Sequence, residues 1–331
     1  MCRSKFIELA HPGSSAAIIP LLARCPLVLA CDEGYAMPLA TTLRSVAESN
    51  QCHWPLDVNV LNDGFSNDAK EKVIQSLPDG SMHIRWIPVD LSLFEQFGLL
   101  DHVSRMTFAR LQIPRIFAET ASKILYLDTD ILVLGDLSPL FQTDLGDASV
   151  GAVLDFHVDS NLKSVRPERT VGVPRVRNYF NAGVLLIDVG TCRQRMVAEK
   201  ALDYLRGHAD SPYADQDALN VACDGDWKQL DTTWNFQNHH TKRIRREPAS
   251  KRPAIVHFIT SSKPWKPSSA SVNAAFYDDF RSRTRFSRSP TGRVWAALSN
   301  LIWRVKYRLD RMNAWLAQPG PRPHESAQGQ D

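Results

Sequence analysis

The segment 123–134 constrains this chain most, because two carboxylates stand one residue apart inside an apolar run. The run reads Lys-Ile-Leu-Tyr-Leu-Asp-Thr-Asp-Ile-Leu-Val-Leu, with Asp128 and Asp130 near its centre. Ionised groups in an apolar segment are tolerated when they pair with a cation or bind a metal. Residues i and i+2 of an extended chain point the same way, so both carboxylates reach one ion if the strand ends there. The run therefore predicts a strand end at a divalent cation site, with two solvated acids as the alternative.

The length and the cysteines favour one large α/β domain with an appendage. The chain has 331 residues and six cysteines, none with the C-x-x-C spacing of metal sites. Several cysteines stand in apolar runs, which is typical of unpaired cysteines in a reducing cytosol. Residues 16–31 are apolar, but Pro20, Arg24 and Pro26 interrupt them. We therefore interpret residues 1–26 as an irregular lead-in and not as a signal peptide.

Strand-like and helix-like patterns alternate along the first half of the chain. An apolar strand at 27–31 is followed by a helix at 38–49, and the alternation repeats. This order predicts an α/β fold with an open, mostly parallel sheet flanked by helices, whose ligands bind beyond the carboxyl ends of the strands. Asp32 and the acidic pair both follow predicted strands. The further predicted elements are strands at 56–61, 83–87, 149–154 and 180–189, and helices at 67–76 and 107–117.

The basic charge of the chain is concentrated near its C-terminus. Residues 281–311 hold nine Arg or Lys and one Asp, a net charge of +8, whereas the whole chain is +3, so the remainder is −5. Apolar residues recur at helical spacing within 293–316, with arginines on one side, which predicts an amphipathic helix that does not cross a membrane. Beyond residue 318 the Pro, Gly and polar composition predicts a disordered end at 319–331.

The tryptophans of this tail favour a lipid surface. Trp295, Trp303 and Trp315 lie outside the apolar stripe, where indole rings suit a lipid headgroup layer. We therefore expect residues 281–318 to form a basic amphipathic helical tail on an anionic membrane surface. Docking of the apolar stripe onto the rest of the chain is the alternative. Nucleic-acid binding is disfavoured, because the tail carries that stripe and the remainder of the chain is acidic.

Six segments together resemble the sequence motifs of glycosyltransferase family 8. The resemblance covers residues 27–267 and implies a retaining enzyme whose catalytic domain, at 27–280, is of the nucleotide-binding, Rossmann-like GT-A type. Within the family it is most similar to the α-galactosyltransferases of bacterial lipo-oligosaccharide synthesis, with lipopolysaccharide glucosyltransferases and glycogenin as relatives. The segments are LACDEGY at 29–35, TFARL at 107–111, LYLDTD at 125–130, FNAGVLL at 180–186, DQD-A-LN at 215–220 and HFITSSKPW at 257–265.

The resemblance implies that His257 completes a metal site with Asp128 and Asp130. Two carboxylates, an imidazole and phosphate oxygens favour Mn²⁺, with Mg²⁺ as the second choice. The ion would neutralise the diphosphate that leaves the sugar. Without the resemblance, the position of His257 in the apolar run 255–258 would also suit a hydrogen-bonded histidine of the core, which is the alternative to a metal ligand.

The resemblance also implies contacts to a UDP-sugar donor, UDP-galactose or UDP-glucose. Two positions depart from the family pattern: Thr260 replaces a glycine, and Gly34 replaces an asparagine of the most similar members, which leaves the loop geometry and one donor contact open. The implied donor-binding residues are Ala30, Asp32 and Tyr35 at the uracil, Lys263 at the diphosphate, and Arg110, Asn181 and Ala182 at the sugar.

Gln216 and Asp215 are the implied catalytic residues. The resemblance places Gln216 on the β face of the donor sugar, opposite the leaving diphosphate, and Asp215 beside the sugar hydroxyls. A glutamine is a poor nucleophile, so we expect front-side attack by the acceptor hydroxyl, with Gln216 stabilising positive charge on the ring. The expected activity is metal-dependent hexose transfer to a glycan or glycolipid acceptor in lipopolysaccharide or surface-polysaccharide synthesis, by a cytoplasmic enzyme peripherally associated with the inner face of the membrane.

Two other interpretations remain open. Residues 127–133 resemble the D-x-D motif of haloacid-dehalogenase-type phosphatases, but that motif normally follows the first strand of its domain, and here about a hundred residues of α/β pattern precede it. A catalytically inactive, sugar-nucleotide-binding homologue is the other alternative. The presence of all the implied metal and catalytic residues weighs against it.

Overall fold

The computed structural model describes residues 26–51, 55–97, 104–156, 158, 174–237, 242–259, 261–267, 269 and 271–316. The predicted lead-in up to residue 25, the substituted Thr260 and the predicted disordered end at 319–331 lie outside these residues.

The described residues form a seven-stranded sheet flanked by helices, together with a two-stranded sheet. This confirms the predicted α/β class and open, mostly parallel sheet. The strands are β1 (Leu27–Asp32), β2 (Leu56–Asp63), β3 (Met82–Pro88), β4 (Lys123–Leu127), β5 (Ile131–Val133), β6 (Val150–Leu154), β7 (Phe180–Asp188), β8 (Trp227–Gln229) and β9 (Ile255–His257). The α-helices are α1 (Ala36–Ser49), α2 (Asn67–Ile74), α3 (Ile113–Ile116), α4 (Ser138–Phe141), α5 (Val189–Gln194), α6 (Val197–Gly207), α7 (Asp215–Ala222), α8 (Ala274–Arg281) and α9 (Pro290–Leu316).

The strand order β3-β2-β1-β4-β7-β6-β8 explains where a ligand can bind. Strands β3, β2, β1 and β4 are parallel to one another, whereas β7 is antiparallel to both β4 and β6. The carboxyl ends of β1 and β4 are therefore neighbours, and the amino end of β7 lies beside them. Both faces of the sheet are covered by apolar clusters, so the polar residues that follow the strands collect at this edge.

The run 123–134 is not a single strand. Strand β4 ends at Leu127, a turn follows, and β5 pairs antiparallel with β9 in the small sheet, with Ile131 opposite His257. Helix α1 stabilises the turn, because the Thr42 hydroxyl lies 2.8 Å from the carbonyl oxygen of Thr129. The change of sheet carries the second carboxylate to the strand that bears the histidine.

The segment 107–117 is not one α-helix, contrary to the sequence prediction. A 3₁₀ helix spans Arg105–Gln112 and continues into the short helix α3. Pro114 has no N–H, so the carbonyl of Arg110 lacks its α-helical donor and accepts from the Ile113 N–H instead. The Arg110 side chain also donates to the Thr107 carbonyl at 3.0 Å, which stabilises the tighter turn.

The C-terminal tail contains an amphipathic helix, as the sequence predicts, but this helix, α9, begins at Pro290 and not at 281, because residues such as Phe286 pack against the domain. The described large apolar side chains of α9 lie in solvent. Ala296 and Asn300 are buried towards the domain. The helix therefore contacts the domain through one side, while the described residues of its apolar stripe do not pack against the described part of the domain. Among the described residues, the structure has no helix long and apolar enough to span a membrane. The exposed apolar residues, each 40–70% accessible, are Val294, Trp295, Leu298, Leu301, Ile302, Trp303, Val305, Leu309 and Met312.

Candidate active site

A cavity of about 480 Å³ lies at the carboxyl ends of β1 and β4. It brings together eleven of the twelve site residues that the sequence indicated, from widely separated parts of the chain. Ala182 does not line it: its side chain is buried, and its backbone donates to Gln216 and accepts from Arg110. The eleven are Ala30, Asp32, Tyr35, Arg110, Asp128, Asp130, Asn181, Asp215, Gln216, His257 and Lys263.

Asp128, Asp130 and His257 present three potential metal-ligating atoms within 4.8 Å of one another. The Nε2 atom of His257 lies 3.1 Å from Asp130 Oδ1 and 3.7 Å from Asp128 Oδ2. Asp130 Oδ1 is buried, and its contact with His257 Nε2 is not a well-aligned hydrogen bond. Two carboxylates and an imidazole nitrogen this close together suit a divalent cation, because the ion would bind all three. The donor set therefore fits the metal that the family implies.

Lys263 adds a positive charge at the same place. Its ammonium group donates to Asp130 and to the carbonyl oxygen of Phe258, 2.9 Å away. Burial disfavours the Asp130 carboxylate, but Lys263 and His257 outweigh this and lower the pKa of Asp130 well below its usual range. The loop that carries Lys263 is supported by Trp265, whose ring packs edge-on against Tyr35 with 5.9 Å between the centroids.

Arg110 connects the two acidic parts of the cavity. Its guanidinium lies 2.9 Å from Asp128 Oδ1, 3.0 Å from Asp215 Oδ2 and 4.8 Å from the centre of the Tyr126 ring. Burial raises the pKa of Asp215 to about 6, and the nearby guanidinium offsets part of that effect. Because protein groups occupy most of the Arg110 donors, it acts in this structure mainly as a cross-link between Asp128 and the start of α7.

One end of the cavity lies beside β1. Asp32 accepts a hydrogen bond of 2.5 Å from the Ser104 hydroxyl, and Tyr35 is half-buried next to it. Ser104 also caps the 3₁₀ helix by accepting from the Met106 N–H. The carboxylate and the ring that the family resemblance assigns to the base are thus held at one end, and the Gln216 side chain lies at the other.

Further residues that hold the side chains of the site were not indicated by the sequence. Tyr126 donates to Asp128 Oδ1 at 2.7 Å, and Thr107 donates to Asp215 Oδ1 at 2.5 Å. Asp155 and Asn235 are buried and hydrogen bonded to Asn181. Asp155 could have been found, because it directly follows the predicted strand 149–154, as Asp32 follows the predicted strand 27–31. Asn235 lies in an irregular segment with no motif around it, so only the structure reveals it.

Fold and site together define a glycosyltransferase of the GT-A type. A sequence model of the family described as "Glycosyl transferase family 8" matches residues 26–268. The chain belongs to glycosyltransferase family 8. This membership excludes the phosphatase interpretation of the D-x-D motif.

Known relatives agree with the family. General stress protein A of Bacillus subtilis (strain 168) is 26% identical over 275 residues, which cover 79% of this chain and 94% of the relative. Lipopolysaccharide 1,2-glucosyltransferase of Escherichia coli (strain K12) is 23% identical over 248 residues, which cover 71% of this chain and 70% of the relative. Some relatives are longer: this chain spans 59% of glycosyltransferase GlyF of Streptococcus pneumoniae, with 28% identity over 253 residues and 75% of this chain covered.

A solved structure agrees with the fold. The crystal structure of the galactosyltransferase LgtC in complex with donor and acceptor sugar analogues matches with a TM-score of 0.68 at 27% identity. The match covers 82% of this chain and 99% of that chain. The agreement in fold therefore extends over nearly the whole of that galactosyltransferase chain.

Proposed function

We propose that this enzyme transfers galactose or glucose from UDP-galactose or UDP-glucose to a glycan or glycolipid acceptor, with retention of the α configuration. The observation that carries the proposal is the cluster of three potential metal ligands, Asp128, Asp130 and His257, in the same cavity as Asp32, Tyr35 and Gln216. Similarity to a galactosyltransferase and to a lipopolysaccharide glucosyltransferase supports a hexose donor and an acceptor of lipopolysaccharide or surface-polysaccharide type.

The leaving group determines what the metal site must do. Asp128, Asp130 and His257 would hold Mn²⁺ or Mg²⁺, and such an ion supplies positive charge for the departing diphosphate. Lys263 contributes a further positive charge within hydrogen-bond reach of Asp130. Its ammonium group can turn from Asp130 to a phosphate oxygen, because a bound cation would take over the neutralisation of that carboxylate.

Gln216 and Asp215 act at the sugar. The Gln216 amide is oriented by the Ala182 N–H, which donates to Oε1 at 3.0 Å. That oxygen can stabilise positive charge on the ring as the bond to the diphosphate breaks, and an amide is too weak a nucleophile to displace it. The acceptor hydroxyl then attacks on the face that the diphosphate leaves and passes its proton to a phosphate oxygen, which accounts for retention. We propose that Asp215 contributes by accepting hydrogen bonds from sugar hydroxyls, as the family resemblance implies.

The tail supports a membrane-associated acceptor. Residues 281–318 combine a net positive charge with the exposed apolar stripe and tryptophans of α9. Such a helix binds in the interface of an anionic membrane by burying its apolar face and pairing its cations with lipid phosphates. We propose that it holds the enzyme peripherally at the inner, cytoplasmic face of the membrane, close to a lipid-linked acceptor.

The test is the release of UDP from a panel of UDP-sugars, first with Mn²⁺ and then with EDTA. Slow hydrolysis of the donor by water requires no acceptor, so the assay needs no knowledge of the natural one. We expect turnover of UDP-galactose or UDP-glucose that EDTA abolishes. Asp130→Ala should be inactive with the same donor. If the parent protein releases no UDP from any donor of the panel and shows no metal-dependent UDP binding, the proposal is refuted and the inactive homologue is favoured.

A further inference from the structure

A second cavity, of about 310 Å³, lies between helices α8 and α9. The 3₁₀ helix Ile244–Arg246 contributes to its wall, so the cavity joins the C-terminal tail to the domain. Among the described residues, it shares no lining residue with the candidate active site. We call this cavity the tail cleft, and its charged and amide residues are Arg245, Asp278, Asp279, Arg293, Asn300 and Arg304.

The tail cleft carries positive charge that the described part of the chain does not neutralise. Arg245 comes from the domain, whereas Arg293 and Arg304 come from α9. No described carboxylate oxygen lies within 4.0 Å of the nitrogens of these three guanidinium groups. The Arg304 side chain lies along its own helix, with Nε 3.2 Å from the carbonyl oxygen of Asn300. The three arginines are therefore available to an anionic ligand.

The two carboxylates of the tail cleft are already paired with arginines that do not line it. Asp278 Oδ2 lies 3.1 Å from Nε of Arg288, and Asp279 Oδ2 lies 3.5 Å from Nη1 of Arg283. Because these pairs neutralise both aspartates, the charge that remains in the cleft is that of its three arginines. Guanidinium groups without a carboxylate partner suit a phosphate, whose oxygens match their planar arrangement of N–H donors.

The tail cleft also holds a buried hydrogen-bond acceptor that lacks a donor. Asn300 is only 9% exposed, and its Oδ1 atom is buried without a hydrogen-bond partner among the described residues. A buried acceptor without a donor costs free energy, so its presence in the wall of a cavity indicates a ligand that supplies the donor. An ionised phosphate diester has only acceptor oxygens. The ligand must therefore also carry a donor, such as a hydroxyl group close to the phosphate.

The tail cleft borders the exposed apolar stripe of α9. Residues three or four positions apart are neighbours on the surface of a helix. Ala297 lines the cleft, and its neighbours Val294 and Leu301 belong to the stripe. A lipid whose acyl chains contact the stripe can therefore place its headgroup in the cleft. This continuity of an apolar surface with a phosphate-binding cleft favours a membrane lipid over a soluble phosphate ester.

We propose that the tail cleft binds the phosphoglycerol headgroup of a membrane lipid. Arg245, Arg293 and Arg304 hold the phosphate, and Oδ1 of Asn300 accepts a hydrogen bond from a glycerol hydroxyl. The proposal rests on the membrane role of α9 in the proposed function and adds a preferred headgroup to it. Attraction of the tail to anionic lipids by charge alone would depend neither on Asn300 nor on which arginine of α9 is present.

Two lipids of equal charge test the role of Asn300. Phosphatidylglycerol and phosphatidylmethanol carry the same negative charge, but only the first has hydroxyl groups in its headgroup. Binding of the full chain is measured by flotation with phosphatidylcholine vesicles that contain an equal fraction of either lipid. We expect the parent to prefer phosphatidylglycerol about tenfold, the usual effect of satisfying a buried acceptor, and Asn300→Leu to bind both vesicles equally. Equal binding by the parent would overturn the proposal, because Asn300 would then not contact the headgroup.

Two arginines of α9 provide a matched pair of variants. Arg304 lines the tail cleft, whereas Arg308, one turn further along the helix, does not. Replacing either by glutamine removes one charge from the tail, which alone should weaken binding to anionic vesicles about fivefold. Arg304→Gln should lose about a further tenfold on phosphatidylglycerol, because it also removes charged hydrogen bonds to the phosphate. Equal losses in the two variants, at equal helix content by circular dichroism, would overturn the proposal and leave the membrane role of the tail intact.

The parent protein separates the headgroup assignment from the membrane role on which it rests. If the parent binds neither kind of anionic vesicle, the membrane role fails and the headgroup assignment fails with it. Binding to both kinds, with the expected preference and the expected difference between Arg304→Gln and Arg308→Gln, supports the proposal. Soluble glycerol phosphate is the last probe. If it binds the parent in calorimetry while phosphatidylglycerol vesicles are not preferred, the ligand is a soluble phosphate ester and the lipid assignment is overturned.

Discussion

The most demanding prediction concerns Gly183, which lies in strand β7 beside the metal site. A Cβ atom at this position would lie 2.2 Å from Cε1 of His257 and 2.7 Å from Asp128 Oδ2. Contacts under 3.0 Å are essentially never observed for a Cβ atom, so the ring must move by at least 0.8 Å, from 2.2 to 3.0 Å. The backbone of Gly183 has no positive φ angle, so alanine is excluded here by space alone.

The expected effect of Gly183→Ala follows from that displacement. A misplacement on the order of 1 Å reduces catalysis by about 100-fold, which corresponds to about 2.7 kcal/mol in the activation barrier. Overpacking should also lower the free energy of unfolding by about 1–3 kcal/mol. The assays are Mn²⁺ affinity by calorimetry, UDP release, and unfolding in urea.

Gly207→Ala is the control for Gly183→Ala. Gly207 ends helix α6, and a Cβ atom there meets nothing within 4 Å. The control should keep full activity and change the free energy of unfolding by no more than about 1 kcal/mol, because only helix propensity is altered. If Gly183→Ala binds Mn²⁺ and turns over the donor within twofold of the parent, the steric argument is wrong.

Three further predictions test other parts of the molecule. Removing α9 and the residues beyond it, by deletion from Pro290 onward, should abolish binding to anionic vesicles in a flotation assay while donor hydrolysis persists; equal vesicle binding would refute the membrane role. Tyr35→Ala should weaken UDP binding by about 1–3 kcal/mol in calorimetry, whereas Tyr35→Phe should bind normally, because stacking on the base needs only the ring. Asp215 has a raised pKa in the folded state, so its contribution to stability is present at low pH and is lost as pH rises from about 4 to about 6. Asp215→Asn should therefore gain about 1–3 kcal/mol relative to the parent between pH 4.5 and pH 7 in urea unfolding, and a constant difference would contradict the raised pKa.

Much of the fold could be predicted because the sheet is built from local patterns. Strand β1 is a continuous apolar run, which is typical of a parallel strand buried on both faces, and the strand–helix alternation that follows indicates the sheet type. The split of the run 123–134 into β4 and β5 was not predictable, because both halves have strand composition and the change of sheet depends on pairing with β9, more than a hundred residues later.

The helix prediction at 107–117 failed for a different reason. Helical periodicity describes which side chains face the core, and a 3₁₀ helix followed by an α-helix buries a similar set, including Phe108 and Ile113. Pro114 lies in the interior of the predicted helix, where a proline disfavours a continuous α-helix, so it was the local signal of the break. The buried guanidinium of Arg110 bonds to the backbone of its own segment, and this contact is visible only in the structure.

The candidate site shows the same difference between residues that a local sequence pattern indicates and residues that only the structure reveals. Residues in recognisable motifs, such as Asp130 and Gln216, were indicated by the sequence and lie together in the cavity. Their spatial arrangement depends on long-range contacts that leave no local pattern. Asn235 and Asp155 belong to this second kind, because each acts through hydrogen bonds to residues more than twenty positions away.

The most direct test of the account is the affinity of UDP measured by calorimetry with Mn²⁺ and with EDTA, in the parent and in Asp130→Ala. If Asp128, Asp130 and His257 hold an ion that contacts the diphosphate, Mn²⁺ should tighten UDP binding at least tenfold in the parent and not at all in the variant. Equal UDP affinity in the parent with Mn²⁺ and with EDTA would contradict the central claim, because the diphosphate would then be bound without the three residues acting as metal ligands.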